Sequence, residues 1–550
     1  MPLLALIFIS FISLSYFYYG RWVKNQFTLS STQKTPAHEF RDDQDFIPTN
    51  PFYLFAQHFS AIAAAGPIAG PILACQQFGW LPSLFWICLG VVFIGAVHDF
   101  SSLTCSVKNQ AHSIAEITRE QLGSIPGKAM MCFILIALVY IVVAFADITA
   151  ASFVSAPEEL QNLNLDFHPG GAVAWAAIAY LILSVILGFV ERYLKTPLWV
   201  NTIIFVPATF ILCYAGTYFS DWFQFTQNQW AVFICLYCAL ASFLPVWMLL
   251  QPRGYLGGYI LYSVLIIGTI GLFFSGKEIA QPMFVGFKWE QITGSMFPFL
   301  FVTIACGACS GFHGLICSGT TSKQIDKETH IHPIGYGAML AEGFVALISL
   351  GIVMMMVPGE IVGLKPGSIY GRGIGEFLTL IIGKEHLSFA MTFGAMAFST
   401  FVFDTLDVST RLGRYLVQEL IGIKKVWVAI LGTAIIILPA IVILLSSNET
   451  LWIHFWVLFG AANQLLAALT MLVIATWLYM NKKRLMFILI PMVFVLVTTL
   501  TALIQLTRAN WHHSQGWDIS RLNSLMSLSL VILALLLMVS ALVKIKRSRN

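Results

Sequence analysis

The chain has 550 residues, of which 58% are hydrophobic and only 10% charged, and its mean hydropathy is +0.81. A soluble protein carries roughly 25% charged residues, so the composition excludes a water-soluble globular fold and implies an all-α polytopic membrane protein. The net charge of +4 is met by anionic lipid headgroups and calls for no nucleic acid.

Apolar runs of about 20 residues mark spanning helices. About fifteen occur, at 2–19, 52–74, 79–104, 129–154, 172–190, 198–219, 229–250, 255–275, 294–317, 334–357, 388–404, 426–446, 452–478, 485–505 and 523–544. The first lacks a preceding basic stretch, and Arg21 and Lys24 follow it. That order suits a retained helix whose start lies outside. Residues 20–50 read as a tether or surface helix, and 371–383 as an external or re-entrant half-helix too short to span. With the N-terminus outside, 23 of the 30 Lys and Arg fall in inner loops and 7 in outer loops. This is the asymmetry expected of a chain whose C-terminus is cytoplasmic. The ten cysteines all lie in or beside apolar segments, where they act as small packing residues.

Four segments carry polar groups against this background. The second helix contains QHFSAIAAAGPIAGPILA, Gln57 to Ala74, with His58 and the pairs Gly66-Pro67 and Gly70-Pro71. Proline removes an amide donor and glycine lowers the cost of unwinding. A break at Gly66–Pro71 frees amides and carbonyls that must find partners in lipid, as at a transport site or a packed kink. The third helix ends in GAVHDF, with His98 and Asp99. Adjacent residues point about 100° apart on a helix and form no dyad by themselves. The ninth reads FPFLFVTIACGACSGFHGLICSGTTSK, with Ser310 and His313, and the eleventh exits as FVFDTLDVSTRLGRY.

Together these motifs resemble the carbon starvation protein A (CstA) family of bacterial inner-membrane transporters, most strongly over 50–420. FGAANQLLAA, Phe459 to Ala468, extends the resemblance into the carboxyl-terminal helices. The resemblance implies uptake of peptides or pyruvate, driven by protons, and a five-plus-five inverted-repeat core of the LeuT type. The expected organisation is an N-terminal helix and tether (1–50), a core of two five-helix units (51–228 and 229–425) and accessory helices (426–550). The seventh helix, with Ser242 and Pro245 in ASFLPVW, is then the inverted counterpart of the second. Gln57 departs from the family, where many relatives have a second histidine before His58. Ser322 and Cys309 also stand where relatives usually have proline and an apolar residue.

The expected substrate contacts are Gly66, Pro67, Gly70, Pro71, Ser242 and Pro245. Proton or ion coupling is expected of His58, Asp99, Asp147, Ser310 and His313, with Glu342 as a further intramembrane carboxylate. Structural alternatives stay open for each: a histidine bonded to a carbonyl, a buried ion pair, or hydroxyls bonded back to their own helix. Asp404 and Asp407, at i and i+3, precede Arg411 and Arg414 by about one and two turns. They read as an inner-end ion-pair cluster or as an inner gate.

The resulting expectation is a secondary active transporter for short peptides or small carboxylates. It uses no cofactor, with a proton or else sodium as coupling ion, and its partners are the small substrate and the bilayer. A homo-oligomer is compatible with the extra helices. The alternatives are a sodium-coupled carrier or channel and, further off, a membrane enzyme with histidine-ligated metal. Neither a repeated filter loop nor an HExxH pair is present. The missing P-loop excludes direct drive by ATP.

Overall fold

The computed structural model describes residues 1–549 except 43–44, 64, 155–166, 290–293, 424, 447–450, 515 and 517. Ala64 of the Gly-Pro motif and Lys424 of the inner-loop charge count lie outside the described residues. The architecture is all-α. It begins with α1 (Pro2–Lys24) and a linker with a single turn at Pro36–Glu39. Helices α2 (Pro51–Ile62) and α3 (Gly66–Phe78) follow, then α4 (Trp80–Lys108), the short α5 (Ile114–Leu122) and α6 (Ser124–Ser152). Next come α7 (Pro169–Leu194), α8 (Leu198–Gly216), α9 (Gln227–Phe243) and α10 (Leu250–Phe274). The short pair α11 (Met296–Thr303) and α12 (Gly311–Gly319) leads to α13 (Glu328–Met354), α14 (Pro366–Ile382) and α15 (Leu387–Ile421). The chain ends with α16 (Val426–Ser446), α17 (Leu451–Met480), α18 (Met486–His513) and α19 (Ile519–Arg549).

Among the described residues twelve helices are long and apolar enough to cross a membrane, or thirteen if the bent pair α2/α3 counts as one. By length and composition alone the count falls short of the expected fifteen, and the reason is local. Segment 229–250 stops as the 17-residue α9, and segment 294–317 is divided into helices of 8 and 9 residues. The expected half-helix at 371–383 belongs to a longer helix, α14, which buries one face against α15.

Local chemistry sets several helix starts. Asn50 accepts from the Phe52 amide, and Ser113/Glu116 and Thr226/Gln229 close reciprocal capping boxes at α5 and α9. Pro67 sits in the first turn of α3, where a missing N–H costs nothing. The break consequently falls between Ile62 and Gly66 rather than within Gly66–Pro71, and the two helices are bent by 43°.

The second deep break, between α11 and α12, packs directly on this region. A Cβ added at Gly66 would lie 2.2 Å from the Cys306 Cβ, and one at Gly70 would lie 2.6 Å from the Thr303 carbonyl oxygen. Glycine is required there by close backbone approach. The break that packs on the Gly-Pro motif is thus the one at 304–310, while Ser242–Pro245 lies elsewhere. Ser242 and Pro245 instead mark the end of α9: Ser242 Oγ donates to the Ala239 carbonyl, and the turn after Leu244 opens α10.

Helix α17 runs through the interior; 94% of its apolar window is buried. It contacts α11, α12, α4 and α6, although sequence placed it among accessory helices. The linker after α1 lies along the segment that follows α12. Thr35 Oγ1 donates to the Ile325 carbonyl, the Thr49 amide to the Gln324 carbonyl, and Glu328 accepts from the Ser30 amide and Lys108 Nζ.

Candidate functional site: two buried ionisable clusters beside the paired breaks

The first cluster is built by α4, α12 and α13. Helix α4 continues to Lys108, which places Asp99 nine residues, or about 13 Å at 1.5 Å per residue, inside its end. Asp99 Oδ1 lies 2.7 Å from His98 Nδ1 and its Oδ2 lies 2.8 Å from His313 Nδ1. The adjacent pair does meet, against expectation, at hydrogen-bond distance. His313 Nε2 faces Glu342 Oε2 at 3.3 Å, outside hydrogen-bond geometry. All four side chains are at most 1% exposed.

With Asp99 ionised, both Nδ1 atoms donate to it, and the Nε2 atoms of His98 and His313 are left to accept or, if protonated, to donate. Neither Nε2 has a hydrogen-bond partner, and neither do the Glu342 oxygens. Glu342, His313, Asp99 and His98 therefore form a row along which a proton can rest at more than one atom. His58 stands on α2 four residues before its last helical residue, so one turn from the break rather than two. Its Nδ1 lies 2.9 Å from Thr321 Oγ1, and its Nε2 is buried and unpartnered.

Ser310 stands at the N-cap position of α12, but the cap itself comes from Asn463, a residue the sequence left without a role. Asn463 Oδ1 accepts from the Phe312 amide at 2.9 Å and from Ser310 Oγ at 3.3 Å, and Asn463 Nδ2 lies 3.0 Å from Ser310 Oγ. The carbonyls freed at the end of α11 are taken by side chains too. Trp86 Nε1 donates to Phe301 and Ile304, Trp456 Nε1 to Thr303, and Gln464 Nε2 to Phe301. The break in α11/α12 is thus filled by α17 and α4, which meets the demand that no backbone group stay unpaired in lipid. Asn463→Leu would strand the Phe312 amide in a dry site, at a cost of about 1–3 kcal/mol. A lowered thermal midpoint of the purified protein is the expected measurement, and an unchanged midpoint would show that the cap carries no load.

The second cluster joins α2, α7, α9, α10 and α15. Arg253 is fully buried near the start of α10. Its Nε donates to Asp404 Oδ1 and its Nη1 to Asp407 Oδ2. Nη1 also donates to the Tyr237 hydroxyl (2.8 Å) and Nη2 to the Phe403 carbonyl (3.2 Å). Tyr237 in turn donates to Asp407 (2.9 Å), Ser60 to Asp404 (3.2 Å), and the Tyr180 hydroxyl to the Arg253 carbonyl (2.8 Å).

The cation that pairs with the two aspartates is therefore Arg253, not Arg411 or Arg414. Arg411 Nη2 donates to the Ala241 and Leu244 carbonyls and so closes the end of α9, while Arg414 lies over the rings of Phe243 and Tyr415. The missed signal was an arginine at 251–254, taken as loop, next to an i, i+3 aspartate pair in want of a cation. Asp147 stands apart from both clusters. Near the end of α6 it accepts from Gln227 (2.8 Å), whose other amide atom accepts from Lys365 (3.1 Å).

A polytopic α-helical bundle with two broken helices crossing at buried ionisable groups has the architecture of a membrane transporter, and the comparisons agree. The chain matches the family described as carbon starvation protein CstA over residues 1–372 and 363–502. It is 29% identical over 590 residues to "Peptide transporter CstA" of Bacillus subtilis, covering 97% of this chain and 95% of that one. It is 30% identical over 603 residues to "Pyruvate/proton symporter BtsT" of Escherichia coli, covering 90% and 80%. Its fold is similar to that of a manganese transporter from Eremococcus coleocola, with a TM-score of 0.50 at 11% identity over 92% of this chain and 99% of that one. The chain belongs to the CstA family and is a multi-pass bacterial membrane transporter, not an enzyme.

Proposed function

We propose that this transporter imports short peptides or pyruvate-like small carboxylates across the inner membrane, coupled to protons, by alternating access around the paired breaks. The observation that carries the reading is Asp99 held between His98 and His313, with His313 reaching Glu342, beside the α11/α12 break. Intramembrane ionisable groups in such a row are the equipment of a proton path. Related chains bearing the names peptide transporter and pyruvate/proton symporter support the cargo and the ion.

The glycine-rich start of α3 and the capped amino end of α12 are helix amino ends that favour a carboxylate. With α9 taken as a crossing, the α11/α12 break comes seven crossings after α2/α3, so the two run in opposite senses. The excess of Lys and Arg in the inner loops supports an N-terminus outside and a C-terminus in the cytoplasm.

The test is uptake of labelled pyruvate and of a dipeptide into proteoliposomes. An inward proton gradient should drive accumulation, and an uncoupler should abolish it. Uptake indifferent to the proton gradient but dependent on sodium would overturn the coupling, and uptake of neither solute would overturn the cargo.

A further inference from the structure

The Arg253 cluster has an odd charge. Asp404 and Asp407 bring two negative charges and Arg253 one positive, all three side chains at most 6% exposed. The groups facing them from every packed element add no second cation among the described residues. Helix α2 gives Ser60, α7 gives Tyr180, α9 gives Tyr237 and the Cys238 thiol beside Asp407, and α10 gives only Arg253. Arg411 is turned to the carbonyls at the end of α9.

An uncompensated carboxylate in a dry interior costs several kcal/mol, roughly, and the usual resolution is to take up a proton. The geometry leaves a place for it. Asp407 uses Oδ2 for both Arg253 and Tyr237, while its Oδ1 is buried without a partner. Both oxygens of Asp404, by contrast, are engaged.

We propose that the Arg253–Asp404–Asp407 cluster is a second proton-binding site, separate from the Asp99 row, holding one proton on the aspartate pair with Asp407 Oδ1 as its seat. The proton makes the cluster neutral and lets it stay closed; its loss leaves a repulsive pair of carboxylates on a single guanidinium. Ser60 joins the cluster to α2 only two residues before that helix ends at the break. Opening of the cluster is thereby linked to the break between Ile62 and Gly66. The transport role of this proton rests on the proton-coupled reading above, whereas its presence does not.

The full-length protein in lipid, with its aspartate carboxyl carbons isotopically labelled, is the sample for infrared spectroscopy. The expected result is a carboxylic-acid carbonyl band that shifts with the label, survives in Asp99→Asn and Asp147→Asn, and is lost in Asp407→Asn or Asp404→Asn. If the last two variants do not fold, Asp407→Glu keeps an acid at the site while removing its labelled carbon, and the labelled band should then be lost. A wild-type protein with no labelled acid band, or a band untouched by either cluster substitution, overturns the site. The number of protons entering with each substrate molecule should also fall in Asp407→Asn, and an unchanged ratio overturns its part in the cycle. A labelled band in a wild-type protein whose uptake ignores the proton gradient would instead sink the proposed coupling and leave the site standing.

Discussion

Arg253→Met should destabilise the protein by about 3–5 kcal/mol, the usual cost of stripping one partner from a buried ion pair. The loss exceeds one contact because the guanidinium holds Asp404, Asp407, the Tyr237 hydroxyl and the Phe403 carbonyl at once. The ionised aspartate of the pair would then stay buried with no cation, its outside donors being Ser60 and Tyr237. Arg253→Lys should fall between, since an ammonium is a point charge and cannot match the planar fork. Combining Arg253→Met with Asp404→Asn and Asp407→Asn removes every net charge and should restore much of the stability. Thermal midpoints of the four purified proteins check the series. A single variant as stable as wild type would mean that water reaches the site and screens the aspartates.

The aspartate pair was visible in the sequence and its cation was not, for a physical reason. A lone arginine beside proline in a four-residue gap looks like a loop charge, and only the fold shows that α10 begins at Leu250 and swallows it. Asp99, His313 and Glu342 were legible because an ionisable group in an apolar helix is costly and stands out. Their mutual contacts were not, since α4 and α12 meet across more than 200 residues of chain.

The Gly-Pro motif announced a broken helix but misplaced the break by a few residues, because Pro67 fits the first turn of α3 instead of disrupting it. Ser242–Pro245 resembled a second break, yet proline there simply ends a helix. The break that packs against the Gly-Pro motif, at 304–310, contains no proline at all. Its signal is the run of small residues in ACGACSG, which lets α17 and α3 approach closely. Asn463 lay in a motif already noted, FGAANQ, but its capping of α12 is a contact between residues 151 positions apart.

Asp99→Asn should reduce proton-driven uptake to the level of protein-free liposomes while the protein remains folded. The amide has nearly the shape of the carboxylate, and its oxygen can still accept from one of the two imidazoles. The amide nitrogen, however, meets the other imidazole as a donor against a donor, so one histidine must switch tautomer or turn away. The site also loses the negative charge that would hold a proton on His313. The row from Glu342 through His313 to His98 is broken at its centre.

Glu342→Gln offers the informative contrast. Among the described residues its oxygens have no hydrogen-bond partner and face His313 outside hydrogen-bond geometry, so the amide leaves the Asp99–histidine contacts in place. Uptake should weaken and lose its dependence on external pH without disappearing. Assay of both variants at several external pH values, beside wild type, separates the roles. Equal and complete loss in the two would mean that Glu342 shares the essential proton with Asp99. Wild-type uptake by Asp99→Asn would remove the row from the proton path, because among the described residues no other joins those two histidines.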